Sequence, residues 1–145
     1  MIYLDTSFVV AAFLAEAASS KVEDFLRRQA AGDVAISHLT RIEVFATLAR
    51  LVRMGTMTKS MAVEAEQEFD SVTAETFAML VPSVEDFNLA AEFVRRHETG
   101  LRAPDALHLA IAANQKATAI LTLDAGMQKA GRTLGLPVRA GIRSA

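Results

Sequence analysis

Four carboxylates stand where the sequence pattern gives an acid something to do: Asp5, Glu43, Asp105 and Asp124. Asp5 follows the short, bulky run Ile2-Tyr3-Leu4 and precedes two hydroxyl residues, Thr6 and Ser7. Asp124 closes the apolar run at 118–123, and Asp105 follows Pro104 at the opening of an Ala- and Leu-rich helix pattern. Glu43 falls in the first turns of another helix pattern. Each acid alone has an ordinary structural use. Asp5 and Asp124 suit helix caps, Asp105 complements a helix dipole, and Glu43 fits the solvated side of an amphipathic helix. Together they mean more. Converging carboxylates repel and raise one another's pKa unless a cation lies among them. Oxygen-only ligands select hard divalent cations, Mg²⁺ or Mn²⁺. Such ions activate water and neutralise a phosphoryl group in hydrolysis.

Whether the acids converge depends on the elements that carry them. Ile2–Leu4 reads as a buried strand that turns straight into a helix over Phe8–Ala15, with Thr6 or Ser7 as N-cap. The pattern then predicts a helix over Ser20–Ala31, a strand at Val34–Ser37 and a helix to Met54 capped by Thr40 or Ser37. Further helices are expected at Thr58–Phe77, Ser83–His97 and Pro104–Gln115, and Ala17–Ser20 reads as a break. Met79–Val81, Thr118–Leu123 and Pro137–Arg139 complete the strands. A short helix follows Asp124, Gly131 and Gly135 mark turns, and 141–145 reads as a tail. Strands alternating with helices argue for one three-layer α/β/α domain over residues 1–145, with a mostly parallel sheet of four or five strands. In that architecture strand ends and following helix starts share the carboxyl edge of the sheet, where ligands bind. All four acids are expected there.

Composition narrows the class. Fifteen basic against 17 acidic residues leave a net charge of −2, unlike a protein that holds nucleic acid by bulk charge. There is no cysteine, so disulfides and thiolate metal sites are excluded. The longest apolar run is far shorter than the roughly 20 residues a membrane span needs. With no basic segment ahead of it, the reading is a cytoplasmic domain without a membrane role.

Tyr3-Leu4-Asp5-Thr6-Ser7, Arg41-Ile42-Glu43-Val44, Pro104-Asp105-Ala106-Leu107-His108-Leu109-Ala110 and Leu121-Thr122-Leu123-Asp124 resemble, in order, the signature blocks of PIN-domain ribonucleases. The closest likeness is to VapC-type toxins of prokaryotic toxin–antitoxin pairs. The resemblance implies a metal-dependent endoribonuclease that hydrolyses RNA phosphodiesters and is inhibited by a small antitoxin protein. It also implies a homodimer, Asp5, Glu43, Asp105 and Asp124 around Mg²⁺ or Mn²⁺, and Thr6, Ser7 and Thr122 as supports. Gly126 and Met127 depart from the family pattern, which has larger or basic residues there.

Other residues carry weaker signals. His108 lies one turn after Asp105 and reads as a supporting imidazole bonded to a carboxylate or carbonyl, with a general base as the alternative. Arg41 and Arg102 flank acids and are candidates to meet phosphate. Arg27, Arg28, Arg50, Arg53, Lys59, Arg132, Arg139 and Arg143 are scattered, and their spacing does not show which share a face. Met54, Met57, Met61, Phe69 and Phe77 read as core, with a dimer face or antitoxin groove on the same helix pair as the alternative. An aspartyl-phosphatase reading fails because Ser7 occupies the place of its second acid. A receiver domain lacks its acid after the third strand, and no G-x-G-x-x-G follows any strand. The rival from another class is a catalytically inactive binding module that sequesters RNA or a protein.

Overall fold

The computed structural model describes residues 1–14 and 19–141. In chain order the elements are β1 (Ile2–Leu4), α1 (Thr6–Phe13), α2 (Ser19–Arg27), β2 (Val34–Ser37), α3 (His38–Arg53) and α4 (Lys59–Thr76). Then come β3 (Phe77–Leu80), α5 (Val84–Arg95), α6 (Ala103–Asn114), β4 (Ala119–Leu121), α7 (Ala125–Thr133) and β5 (Val138–Arg139). Every strand pair is parallel, in the order β3-β2-β1-β4-β5. β1 is central: Tyr3 stands level with Ala35 of β2 on one side and Ile120 of β4 on the other.

Alternation along these short strands divides the core. Leu4, Ile36 and Leu121 pack with Phe8, Val9, Val44 and Phe69 in one cluster, formed with α1 to α4. Tyr3, Ile120 and Val138 pack with Leu109, Ile111 and Met127 of α6 and α7 in another. Phe8 and Phe69 are wholly buried, and burying such a side chain contributes about 1.5–3 kcal/mol. The helices thus cover both faces of the sheet, as the three-layer reading expects.

Sheet order also locates the site. Successive strands step from β1 outward through β2 to β3, and the chain then returns to the other side of β1 for β4 and β5. The crevice between β1 and β4 at the carboxyl edge is therefore the topological switch point, where doubly wound sheets bind ligands.

Some expected boundaries differ. The third strand begins two residues earlier than predicted, because Phe77 and Ala78 pair with Val34 and Ala35. Asp5, rather than Thr6 or Ser7, caps α1, and α3 is capped by Ser37 in a box with Thr40. Gly131 is not a turn but lies inside α7. A Cβ there would run into the Val138 side chain, so glycine lets the helix rest directly on β5. The expected break at 17–20 falls partly, and the tail almost wholly, outside the described residues.

Candidate active site

Asp5 ends β1 and opens α1, so its carboxylate can serve both the helix and the cleft. One oxygen, Oδ1, accepts from the backbone N–H groups of Ser7 (2.5 Å) and Phe8 (3.4 Å). The other, Oδ2, accepts from the Thr122 hydroxyl at 2.6 Å, and the residue is 4% exposed. Thr122 Oγ1 also accepts from the N–H of Asp124 at 3.0 Å, while Ser7 Oγ accepts from Leu123 N at 2.8 Å. Asp124 caps α7 through Met127 N at 2.7 Å. Thr122 and Ser7 thus stitch together the two strand-to-helix junctions that carry Asp5 and Asp124.

Glu43 comes from α3, within its first two turns, and leans across the cleft toward α6. Its Oε2 accepts from the Thr6 hydroxyl and from His108 Nε2, the latter at 2.6 Å. A carboxylate only accepts, so Nε2 carries a proton. On the far side of the ring, Nδ1 lies 2.7 Å from the Tyr3 hydroxyl, which donates to Ser37 Oγ at 3.0 Å. Burial works against ionisation of Glu43, but the bonds from His108 and Thr6 and the electrostatic pull of the imidazole outweigh it. The carboxyl is held below its ordinary range. Burial pushes the Tyr3 phenol well above its usual pKa despite its hydroxyl neighbours, so Tyr3 is a neutral hydrogen-bonding group.

Asp105 is placed differently. It sits in the first turn of α6 with an ion pair to Arg102 at 3.6 Å. Burial raises its pKa; Arg102 opposes the rise, and the charges of Asp124 and Asp5 reinforce it. Because its folded pKa is raised, Asp105 costs stability at neutral pH, and that cost is relieved as pH falls through its range. In metal-free buffer Asp105→Asn should therefore raise the thermal midpoint at pH 7. The difference from the parent should vanish once pH drops below the ordinary carboxylate pKa. An unchanged or lower midpoint at pH 7 would contradict the cost of holding this charge half-buried beside the other acids.

Asp5, Glu43, Asp105 and Asp124 all line one cavity of about 420 Å³, together with Thr6, Ser7 and His108. A neighbouring cavity shares Asp105 and Asp124 and adds Arg102 and the 99–101 loop. Arg41 points elsewhere: it pairs with Asp70 at 3.3 Å and covers the Phe45 ring at 4.6 Å. His108 is the buried, carboxylate-bonded imidazole that its spacing suggested. His38 and His97 are exposed. Sequence reasoning passed over Tyr3, whose only signal was a hydroxyl inside an otherwise apolar strand. It also left Arg50 and Arg53 among scattered cations, yet both line the acidic cavity. The spacing of seven and ten residues from Glu43 was the available clue.

With the side chains as placed, no three His, Asp or Glu residues among those described stand close enough together to hold a metal ion. Hydrogen bonds hold both Asp5 oxygens, Glu43 Oε2 and Asp124 Oδ1. The chemistry of the set still suits one. Its donors are all oxygen, three acids face one another, and the raised Asp105 is what a cation would reverse.

A family model described as the PIN domain matches residues 2–133. Among solved structures, VapC20 of Mycobacterium tuberculosis, a sarcin-ricin loop cleaving toxin, is 20% identical, covers 90% of this chain and 95% of its own, and has a TM-score of 0.71. FitAcB of Neisseria gonorrhoeae is 22% identical over 97% of this chain and 98% of its own, with a TM-score of 0.76. A toxin–antitoxin complex from Klebsiella pneumoniae is 19% identical over 99% and 100%, with a TM-score of 0.70. Identities this low speak to the fold. No curated protein matches the chain.

Proposed function

The chain belongs to the PIN domain family, and from that premise we propose that it is a divalent-metal-dependent endoribonuclease, the toxin of a toxin–antitoxin pair. The observation that carries the reading is the gathering of Asp5, Glu43, Asp105 and Asp124 around one cavity at the switch point of the sheet. These residues would hold Mg²⁺ or Mn²⁺. When bound, such an ion supplies Lewis acidity, making water a better nucleophile and neutralising charge on a phosphoryl group.

The chain's own groups prepare that chemistry. Thr122 and the first N–H groups of α1 fix the Asp5 carboxylate, so that it offers its remaining lone pairs in one direction. His108 and Thr6 keep Glu43 ionised and turned toward the cleft. Asp124 is anchored through one oxygen, leaving the other free of the α7 cap. Asp105, its pKa raised by burial and by the neighbouring carboxylates and its charge paired with an exposed arginine, is the acid whose charge a bound cation would most relieve.

The structural likeness to a toxin and to a toxin–antitoxin complex supports a small protein inhibitor as partner. Val84, Phe87 and Val94 lie exposed along α5, which supports self-association as a homodimer. Phe69 and Phe77 are core, as their pattern suggested, while Met54 and Met61 are exposed. No helix among the described residues is long and apolar enough to cross a membrane.

The test is direct. The purified chain, freed of any partner, should cleave cellular RNA at discrete internal positions with Mg²⁺ or Mn²⁺ and stop when a chelator is added. Cleavage indifferent to chelation would refute the metal site. RNA bound but never cut would return the chain to the inactive-module reading.

A further inference from the structure

Glu43 does not enter the cavity alone. Ala46, Thr47, Arg50 and Arg53 line it too, at three, four, seven and ten residues beyond Glu43. That is one continuous face of α3, and ten helical residues advance about 15 Å from the acid to the last arginine. The helix therefore carries a charge gradient along one stripe. It is negative deep in the cleft, neutral over Ala46 and Thr47, and doubly positive toward the rim.

The two arginines are also uncommitted. Among the described residues, Arg27, Arg41, Arg96 and Arg102 each have a carboxylate within ion-pair distance. Arg50 and Arg53 have none there; Arg50 touches only the Met54 sulfur, at 3.8 Å. Both lie in the last turn of α3, where a cation complements the helix dipole. The dipole accounts for their sign, but not for both falling on the stripe that Glu43 begins.

We propose that Arg50 and Arg53 form a phosphate-binding arm, which grips the RNA strand to one side of the phosphodiester held at the four acids. The inference rests on the ribonuclease reading and deepens it. An acidic cleft in a chain of net charge −2 repels a polyanion, so attraction must be local and must flank the acids. Guanidinium forks suit phosphate oxygens, and two of them three residues apart on one helix face match consecutive phosphates better than a single compact anion.

The experiment uses the full chain carrying Asp5→Asn, so that RNA survives, and follows anisotropy of an unstructured fluorescent RNA oligonucleotide across a salt series. Arg50→Ala with Arg53→Ala should weaken binding at least tenfold at low salt. The log–log salt slope should fall by about 1.4, the loss of two single-strand phosphate contacts. The two residues are exposed, so the thermal midpoint should fall by no more than their modest helix-dipole contribution. Lysine at both positions should restore the slope but not the full affinity. In the uninhibited enzyme with Asp5 intact, the double alanine variant should raise KM and leave kcat nearly unchanged.

Unaltered RNA affinity and slope in the double alanine variant would overturn the arm. If that variant had instead lost binding to an acidic peptide such as polyglutamate, the arginines would serve a protein segment, and the proposal would equally fail. Failure of the ribonuclease reading looks different: the Asp5-intact protein would cut nothing with Mg²⁺ or Mn²⁺, while arginine-dependent RNA binding persisted.

Discussion

Asp5→Asn should lower RNA cleavage by well over the roughly 10–100-fold that losing a supporting hydrogen bond near a metal costs. The protein itself should stay folded. Asparagine caps a helix about as well as aspartate, so the N–H groups of Ser7 and Phe8 keep an oxygen to bond. What changes is charge and one contact. The amide cannot offer a second anionic oxygen, and its NH₂ faces the Thr122 hydroxyl that now donates to Oδ2. Calorimetric titration with Mn²⁺ alongside the cleavage assay separates the causes. Affinity and rate should collapse together, with a circular dichroism spectrum like the parent's. Cleavage within tenfold of the parent would remove Asp5 from the metal site and leave it a cap.

His108→Ala should show the largest loss of stability among the site residues, about 2–4 kcal/mol from the cavity and the bonds it forfeits. The ring is 2% exposed and bridges α6 to both α3 and β1. Without it, Glu43 retains only Thr6 among its side-chain partners, and Tyr3 retains Ser37. Tyr3→Phe is the calibrating variant. It removes one end of the network, opens no cavity and should cost only about 1 kcal/mol. Urea midpoints for the two variants and the parent, with equal m-values, would check the ordering. His108→Ala as stable as Tyr3→Phe would mean that the imidazole does not tie the layers together. Activity should follow the same order, because Glu43 loses its main orienting bond in one variant and keeps it in the other.

Much of this arrangement was legible in local pattern. Ile2–Leu4 and Val34–Ser37 read as strands because bulky or β-branched residues sat between clear turn signals. Asp5, Asp105 and Asp124 stood out because each interrupts apolar sequence at an element's end. Their roles were harder to separate. Asp5 caps α1 and also lines the cleft, so capping and site-forming readings were never alternatives. Arg41 lies two residues before Glu43, yet two helical steps of about 100° each turn it toward Asp70 and Phe45. Arg50, two turns away, points into the cavity. Tyr3 was hidden because a strand side chain's partner across the sheet is set by register and by the helix above, neither of which a short apolar run encodes. Gly131 misled for a related reason: its lack of a side chain serves contact with Val138, a residue of the next element.

The central position of β1 has a consequence for the order of events during synthesis. Asp5 is made 117 residues before Thr122, but its backbone N–H bonds to Leu121 and its carboxylate accepts from Thr122. β1 can pair with β2 early, whereas its other edge stays open until β4 exists. A nascent chain emerging from the ribosome therefore holds Asp5 without its bonds to Leu121 and Thr122 until the segment at 119–124 is also out. The oldest residue of the site waits for the youngest. A site built this way is complete only once β4 has been made, with closure of the β1–β4 seam as the last step.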